Sequence, residues 1–395
     1  MKIITYKNSK NITYKKVISL IVFFTILFLI LIFSDTVHSS VKLSIDVLFS
    51  SLIPSLLPFL ILSEFAVNTD ILNITANLFE SIVTKVFKTS KNSSIAIIIG
   101  YLCGFPSGSK TVNTLYENKL ITKNEACILL SFVNNNNPAF IISAIGISVF
   151  GSIRVGMLLL ISHFFASLLI GIVYSRYYLS HNIIHEFKQI SNKNNKDTKI
   201  LENLSIIETI RNCILNALKT LATIFGFVMI FNLLFDLLNL LFKKLNFSSN
   251  FIYVISAIIE ITRGSHNLIK LSYNMNTIIC LESFLLGFSG ICIILQIYST
   301  IAKNHFSFIK LIKCKLIHGI LSAIITYYLL KYTNIVDVAS ISIFSSINTT
   351  SVIDNVNILL YKSYIYYTLI AIAILIIMVI YAIYIKKTHH NKFKI

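Results

Sequence analysis

Gly100-Tyr101-Leu102-Cys103-Gly104-Phe105-Pro106-Ser107-Gly108-Ser109-Lys110 lies inside an apolar stretch, residues 94–115, that would otherwise read as a membrane helix. A helix crossing about 30 Å of hydrocarbon needs about 20 apolar residues at 1.5 Å each. Here proline stops the helix, and two glycines permit backbone shapes and close approaches that other residues resist. In hydrocarbon an unpaired backbone polar group costs several kcal/mol, so such a break persists only where protein or a cavity shelters it. A second stretch, residues 251–271, is interrupted in the same way by Glu260-Ile261-Thr262-Arg263-Gly264-Ser265-His266-Asn267. Whether these two stretches cross the membrane or dip in and return decides the topology.

The rest of the chain sets the class. Of 395 residues, 55% are hydrophobic and only 13% charged, about half the charge of a soluble domain. Mean hydropathy is +0.79. So few charges cannot cover a water-soluble surface, and a polytopic membrane protein is the class that remains. The net charge of +18 sits between apolar runs, where membrane topology places it, which argues against nucleic acid as a partner.

Uninterrupted spans are expected at residues 17–34, 44–66, 126–150, 155–175, 216–241, 277–300, 312–330 and 364–384. Treating 94–115 and 251–271 as re-entrant hairpins leaves eight spans. The basic clusters of the N-terminal tail, 176–199, 303–315 and the C-terminal tail then all lie in the cytoplasm, as the positive-inside rule requires. Making 251–271 a full span would put two of them outside. The expected fold is therefore all-α and polytopic, with about eight transmembrane helices plus two re-entrant helical hairpins.

An offset of about 155 residues superposes Gly108-Ser109 on Gly264-Ser265, Phe132–Pro138 on Gly287–Ile293, and His163-x-x-x-Ser167 on His318-x-x-x-Ser322. The two units read as an inverted repeat, a pattern common in secondary transporters that bind substrate at the midplane between broken helices. The organisation is an N-tail and first helix (1–40), a first repeat (41–178), a cytoplasmic linker (179–205), a second repeat (206–331), an extracytoplasmic segment (332–363) and a last helix with a cytoplasmic tail (364–395). Both termini are expected in the cytoplasm. The first apolar run is followed by Ser34-Asp35-Thr36-Val37-His38, which offers no small-x-small cleavage site, so it reads as an uncleaved span.

Function should lie where the apolar pattern breaks. Candidate substrate-binding residues are Gly104, Ser107, Gly108, Ser109 and Lys110 in the first hairpin and Asn135, Asn136 and Asn137 in the run Asn134–Pro138. In the second half they are Arg263, Gly264, Ser265 and Ser289. Helix N-termini at such breaks carry about half a positive charge and suit anions. Arg263 has the planar fork for a carboxylate, or it pairs with Glu260 one turn away. Glu64, Glu260 and Glu282 are intramembrane acids that carry protons, help hold Na⁺ or pair with cations. His163 and His318 read as hydrogen-bonded residues of the bundle. The asparagine run has a compositional reading too, but amides inside an apolar span are expensive, and position favours a role.

Cys103, Cys127, Cys213, Cys280, Cys292 and Cys314 show no C-x-x-C pair and no histidine at zinc spacing, so they read as packing residues rather than metal ligands or disulfides. There is no P-loop, H-E-x-x-H or G-x-S-x-G signature; no cofactor is implied and catalysis is not expected.

Pro54-Ser55-Leu56-Leu57-Pro58-Phe59, then Gly100–Lys110, then Asn135–Ile141, resembles the sporulation integral membrane protein YlbJ family. So do Glu260-Ile261-Thr262-x-Gly264, Leu286–Gly290, Gln296 and His318-Gly319, a similarity spanning about residues 40–330. Arg263 departs from it, standing where a small or hydroxyl residue is expected. That family is similar to the nucleoside-recognition or gate domains of concentrative nucleoside transporters, which implies two hairpins meeting at the membrane centre. The resemblance further implies a stage V sporulation protein in the cell membrane or the mother-cell-derived outer forespore membrane. Its expected task there is moving dipicolinic acid, a small organic dianion, toward the forespore. A nucleoside or neutral-solute transporter and a non-transporting sporulation scaffold are the alternatives, and homo-oligomers are compatible with either.

Overall fold

The computed structural model describes residues 14–67, 69, 71–180 and 206–332. They lie in the first of two compact units, Met1–Ala339; the second, Ser340–Ile395, falls outside them. The expected linker, the extracytoplasmic segment and the last span at 364–384 thus lie outside the described residues.

Everything regular among the described residues is helical. In order these are α1 (Tyr14–Ile32), α2 (Ser34–Val47), α3 (Ile53–Val67), α4 (Ile71–Val86), α5 (Ser93–Leu102), α6 (Ser107–Glu117) and α7 (Lys123–Leu130). They continue as α8 (Ile153–Ser180), α9 (Ile206–Lys244), α10 (Ser249–Ile259), α11 (Ile261–Leu268), α12 (Met275–Phe288), α13 (Gly290–Ile301) and α14 (Phe308–Tyr332). Four helical stretches are long and apolar enough to cross a membrane: Ser34–Ala66, Ile153–Tyr178, Ile206–Lys244 and Met275–Asn304. α14 has the length, at 25 residues, but carries Lys310, Lys313, Lys315 and Lys331.

The expected span at 44–66 is part of a longer helix that begins at Ser34 and passes through a π-helical turn at Leu48–Leu52 just before Pro54. Leu52, Leu56 and Leu60, one helical turn apart, pack on Ala217, Leu221, Ile224 and Val228 of α9. Asn232 of α9 donates to Ser44 Oγ at 3.1 Å inside that contact. Fully buried, this polar pair fixes the register of two otherwise interchangeable apolar stripes.

Two expectations change in detail. Residues 126–150 are not one span: α7 stops at Leu130, an irregular segment holds Asn134–Asn137, and a π-helix runs over Phe140–Ile147. The break in the second hairpin falls at Glu260, with φ −141° and ψ 121°, rather than at Arg263-Gly264-Ser265, which lie inside α11. The helix restarts there because Glu260 supplies the side-chain acceptor that its first amides need. Gly264 is required for another reason. A Cβ on it would stand 2.2 Å from Ala257 Cα, so α10 and α11 could not approach as they do. Gly108 does the same work in the first half, where an added Cβ would meet Val133 O at 2.6 Å and Gly100 Cα at 3.1 Å.

The two stretches 93–180 and 249–332 share an order of elements. α5–break–α6 corresponds to α10–break–α11, and α7–break–π-helix to α12–break–α13, while α8 corresponds to α14. The break in 277–300 is the left-handed pair Ser289 and Gly290, with φ of +72° and +70°. All six cysteines are free thiols.

Candidate functional site

The asparagine run is a buried junction. Asn134, Asn135, Asn136 and Asn137 are at most 2% exposed. The Asn136 N–H donates to His163 Nε2 at 3.1 Å, and its side-chain amide to the Leu286 carbonyl at 2.7 Å. That second bond ties the first-half break to the end of α12, where Ser289 Oγ also donates to Leu286 O at 3.2 Å. Lys315 of α14, equally buried, donates to the Asn134 carbonyl at 2.7 Å. Asn135 O accepts from Phe105 N–H at 2.8 Å, which seats the first hairpin tip on the run. Gly104, at φ +74°, has its missing side chain within 2.8 Å of Asn137 N and 2.9 Å of Asn135 O. Asn136 is tied in through its side chain, whereas Asn134 and Asn135 meet Lys315 and Phe105 through backbone carbonyls that any residue would offer.

Glu260, 2% exposed, accepts from the N–H groups of Thr262 (3.0 Å) and Arg263 (2.9 Å) and from the Thr262 hydroxyl. It does not pair with the Arg263 guanidinium. That group reaches Asp236 Oδ1 of α9 at 2.6 Å and lies 4.6 Å over the Phe235 ring. Asp236 falls in the expected span 216–241 and was not among the sequence candidates. Lys110, about half exposed, is held by Glu64 at 2.5 Å. Both cations proposed to meet a substrate are therefore already engaged by carboxylates.

Ser109 Oγ donates to Pro106 O at 2.9 Å and receives the Thr300 hydroxyl at 3.0 Å. Ser107 and Gly108 are buried in the first turn of α6. Ser265 Oγ lies 2.7 Å from Glu282 Oε1. His163 and His318 are bonded within the bundle, as expected.

A narrow, partly open crevice lies between the two tips. Phe105 comes from the first tip and Glu260, Ile261 and Thr262 from the second; Asn137, Phe140, Ile293 and Gln296 line it from the broken elements, and Leu52, Leu56, Ile224 and Val228 close it from α3 and α9. Of the expected substrate residues only Asn137 lines it, together with Glu260 from the acidic set. Asn137 Oδ1 accepts from Ala139 N–H, which leaves its amide Nδ2 without a partner; Gln296 Oε1 is likewise unpartnered. Phe105, Thr262 and Gln296 were not singled out as site residues. The signal for Gln296 was present, an amide in the middle of an apolar span.

Comparison with known proteins fits this geometry. Residues 49–153 match the family model "Gate: Nucleoside recognition", a segment that includes the first hairpin and the asparagine run. Over 303 residues the chain is 25% identical to the sporulation integral membrane protein YlbJ of Bacillus subtilis (strain 168), covering 70% of this chain and 74% of that protein. No solved structure matches. The resemblance carried by the motifs is thus met across most of the chain: it is a relative of an integral membrane protein of sporulation and contains a segment matching the nucleoside-recognition gate.

Proposed function

We propose that this protein is a membrane transporter acting in sporulation, that it carries a small planar organic solute through the cavity between the two hairpin tips, and that this solute is dipicolinate. The observation that carries the reading is the cavity itself. Both breaks of a repeated helix–break–helix unit contribute to it, and broken helices facing a common cavity are how many secondary transporters build a midplane site. Phe105 offers a ring face, Asn137 Nδ2 a free donor and Gln296 Oε1 a free acceptor.

On this reading α5–α6 and α10–α11 are re-entrant, eight spans cross the membrane, and the termini are cytoplasmic. Cysteine labelling of residues at the helix ends from either side tests that topology.

The engagement of Lys110 by Glu64 and Arg263 by Asp236 changes how an acid would be held. Free cations do not grip its two ends. The substrate carboxyls meet neutral amides, and a dianion entering a dry site would need its charge offset by accompanying cations or protons. A nucleoside remains the second reading, favoured by the gate match and by the donor–acceptor pair of Asn137 and Gln296. Proteoliposomes holding the purified protein test both. Uptake of labelled dipicolinate that excess nucleoside leaves unchanged supports the first reading; nucleoside uptake that dipicolinate does not inhibit supports the second. If neither solute moves, the transport assignment falls.

A further inference from the structure

Glu282 of α12 is fully buried and stands apart from the cavity. Its Oε1 lies 2.7 Å from Ser265 Oγ, and its Oε2 has no hydrogen-bond partner. The same Ser265 oxygen lies 2.8 Å from the Ile261 carbonyl, the back-bond a helical serine usually makes. One hydroxyl hydrogen serves two acceptor oxygens only as a shared, weaker three-centre bond; a proton on the carboxyl group gives each contact its own hydrogen.

The surroundings agree. Helices α8, α11 and α14 pack on α12. The buried or half-buried ionisable groups they bring are His163, Tyr174 and Tyr178; Glu260 at the cap of α11, with Arg263 beside the exposed His266; and Cys314, Lys315 and His318. None forms an ion pair or a hydrogen bond with Glu282: His163 holds Asn136, Lys315 holds Asn134, His318 meets His163 O, and Arg263 holds Asp236. An ionised carboxylate left with one hydroxyl contact and no cation would be strongly disfavoured there. The first half lacks a counterpart. Its equivalent serine, Ser109, receives the Thr300 hydroxyl instead of an acid.

We infer that Glu282 is a neutral carboxylic acid in this closed arrangement and that the Ser265–Glu282 pair is the proton-coupling site of the transporter. Ser265 rides on α11, the second helix of the second hairpin. Movement of that hairpin withdraws Ser265, opens Glu282 to water and lets the proton leave. The coupling half of the inference rests on the proposed transport function; the protonation half does not.

Infrared difference spectroscopy on the intact protein tests the protonation half without any substrate. The carbonyl band of a protonated carboxyl is expected in the wild type at neutral pH and is lost in Glu282→Gln, a variant that keeps the shape and a hydrogen-bonding amide. Identical wild-type and E282Q spectra from mildly acid to mildly alkaline pH would overturn it. Proteoliposomes loaded with a pH-sensitive dye test the coupling half, with dipicolinate as the probe. A dipicolinate gradient is expected to drive proton movement in the wild type and at least tenfold less in E282Q, while dipicolinate counterflow, which needs no net proton movement, survives. Undiminished proton movement in E282Q would overturn the coupling role. Absence of any dipicolinate movement in the wild type would count against the transport reading alone, since the infrared result stands without it.

Discussion

His163 and His318, 155 positions apart, touch ring to ring. Their centroids are 4.4 Å apart at an interplanar angle of 36°, and His318 Nε2 lies 2.9 Å from the His163 carbonyl oxygen. They are the two positions that an offset of about 155 residues aligns in the sequence. Asn136 reaches Leu286 from the same junction, and the breaks of both halves are thereby locked to one another.

His163 therefore has a structural duty that a ring of similar size cannot take over. Its Nε2 accepts the Asn136 backbone N–H, and a buried N–H left without an acceptor costs about 1–3 kcal/mol. His163→Phe should lower thermal stability in detergent by that order. An unchanged unfolding midpoint would show that the bond does not hold the junction.

Close helix approach predicts a contrast among glycines. Gly108→Val and Gly264→Val would drive side chains into Val133 O and Ala257 Cα, and overpacking of this kind costs about 1–3 kcal/mol or more. Gly226 of α9 has nothing within 4 Å of an added Cβ; Gly226→Ala should be neutral or stabilising by up to about 1 kcal/mol. Thermal melts of the three variants check the order, and equal melts would refute it.

The cavity amides should affect transport more than folding. On the proposed function, Asn137→Ala and Gln296→Ala remove the unpartnered Nδ2 and Oε1 that would bond the solute, and they also give up the Ala139 N–H bond to Asn137 Oδ1 and the Gln296 Nε2 bond to Cys292 Sγ. A loss of about 1.4 kcal/mol in binding is tenfold in affinity, so each variant should weaken dipicolinate uptake by about tenfold while the lost internal bond lowers stability by no more than about 1.5 kcal/mol. Full uptake in both would move the site elsewhere.

The two ion pairs should differ in weight. Lys110–Glu64 is half exposed on the lysine side, so Lys110→Ala should change stability by less than about 1 kcal/mol. Arg263 and Asp236 are mostly buried, with side chains 19% and 14% exposed. Arg263→Met strands Asp236, and adding Asp236→Asn should recover part of the loss. The expected coupling is about 0.5–3 kcal/mol. Strict additivity in a double-mutant cycle would mean that the pair contributes nothing.

The sequence by itself determined the membrane class and most of the places where helices break. Charge scarcity, apolar run length and Gly/Pro interruptions are local properties, and the cost of exposed backbone in hydrocarbon converts them directly into structure. That is why Gly104, the run Asn134–Asn137 and Ser289–Gly290 all stand at real breaks. Only the tertiary structure decided what each polar side chain does there. Arg263 looked free, or paired with Glu260, because partners three residues apart are visible along a helix, whereas Asp236 arrives from α9. Lys110 looked available until α3 brought Glu64 beside it. Ser265 and Glu282, 17 residues apart, met only when α11 packed on α12. Charge and hydrogen-bond satisfaction inside a bundle are settled between helices, and no periodicity within one helix carries that information.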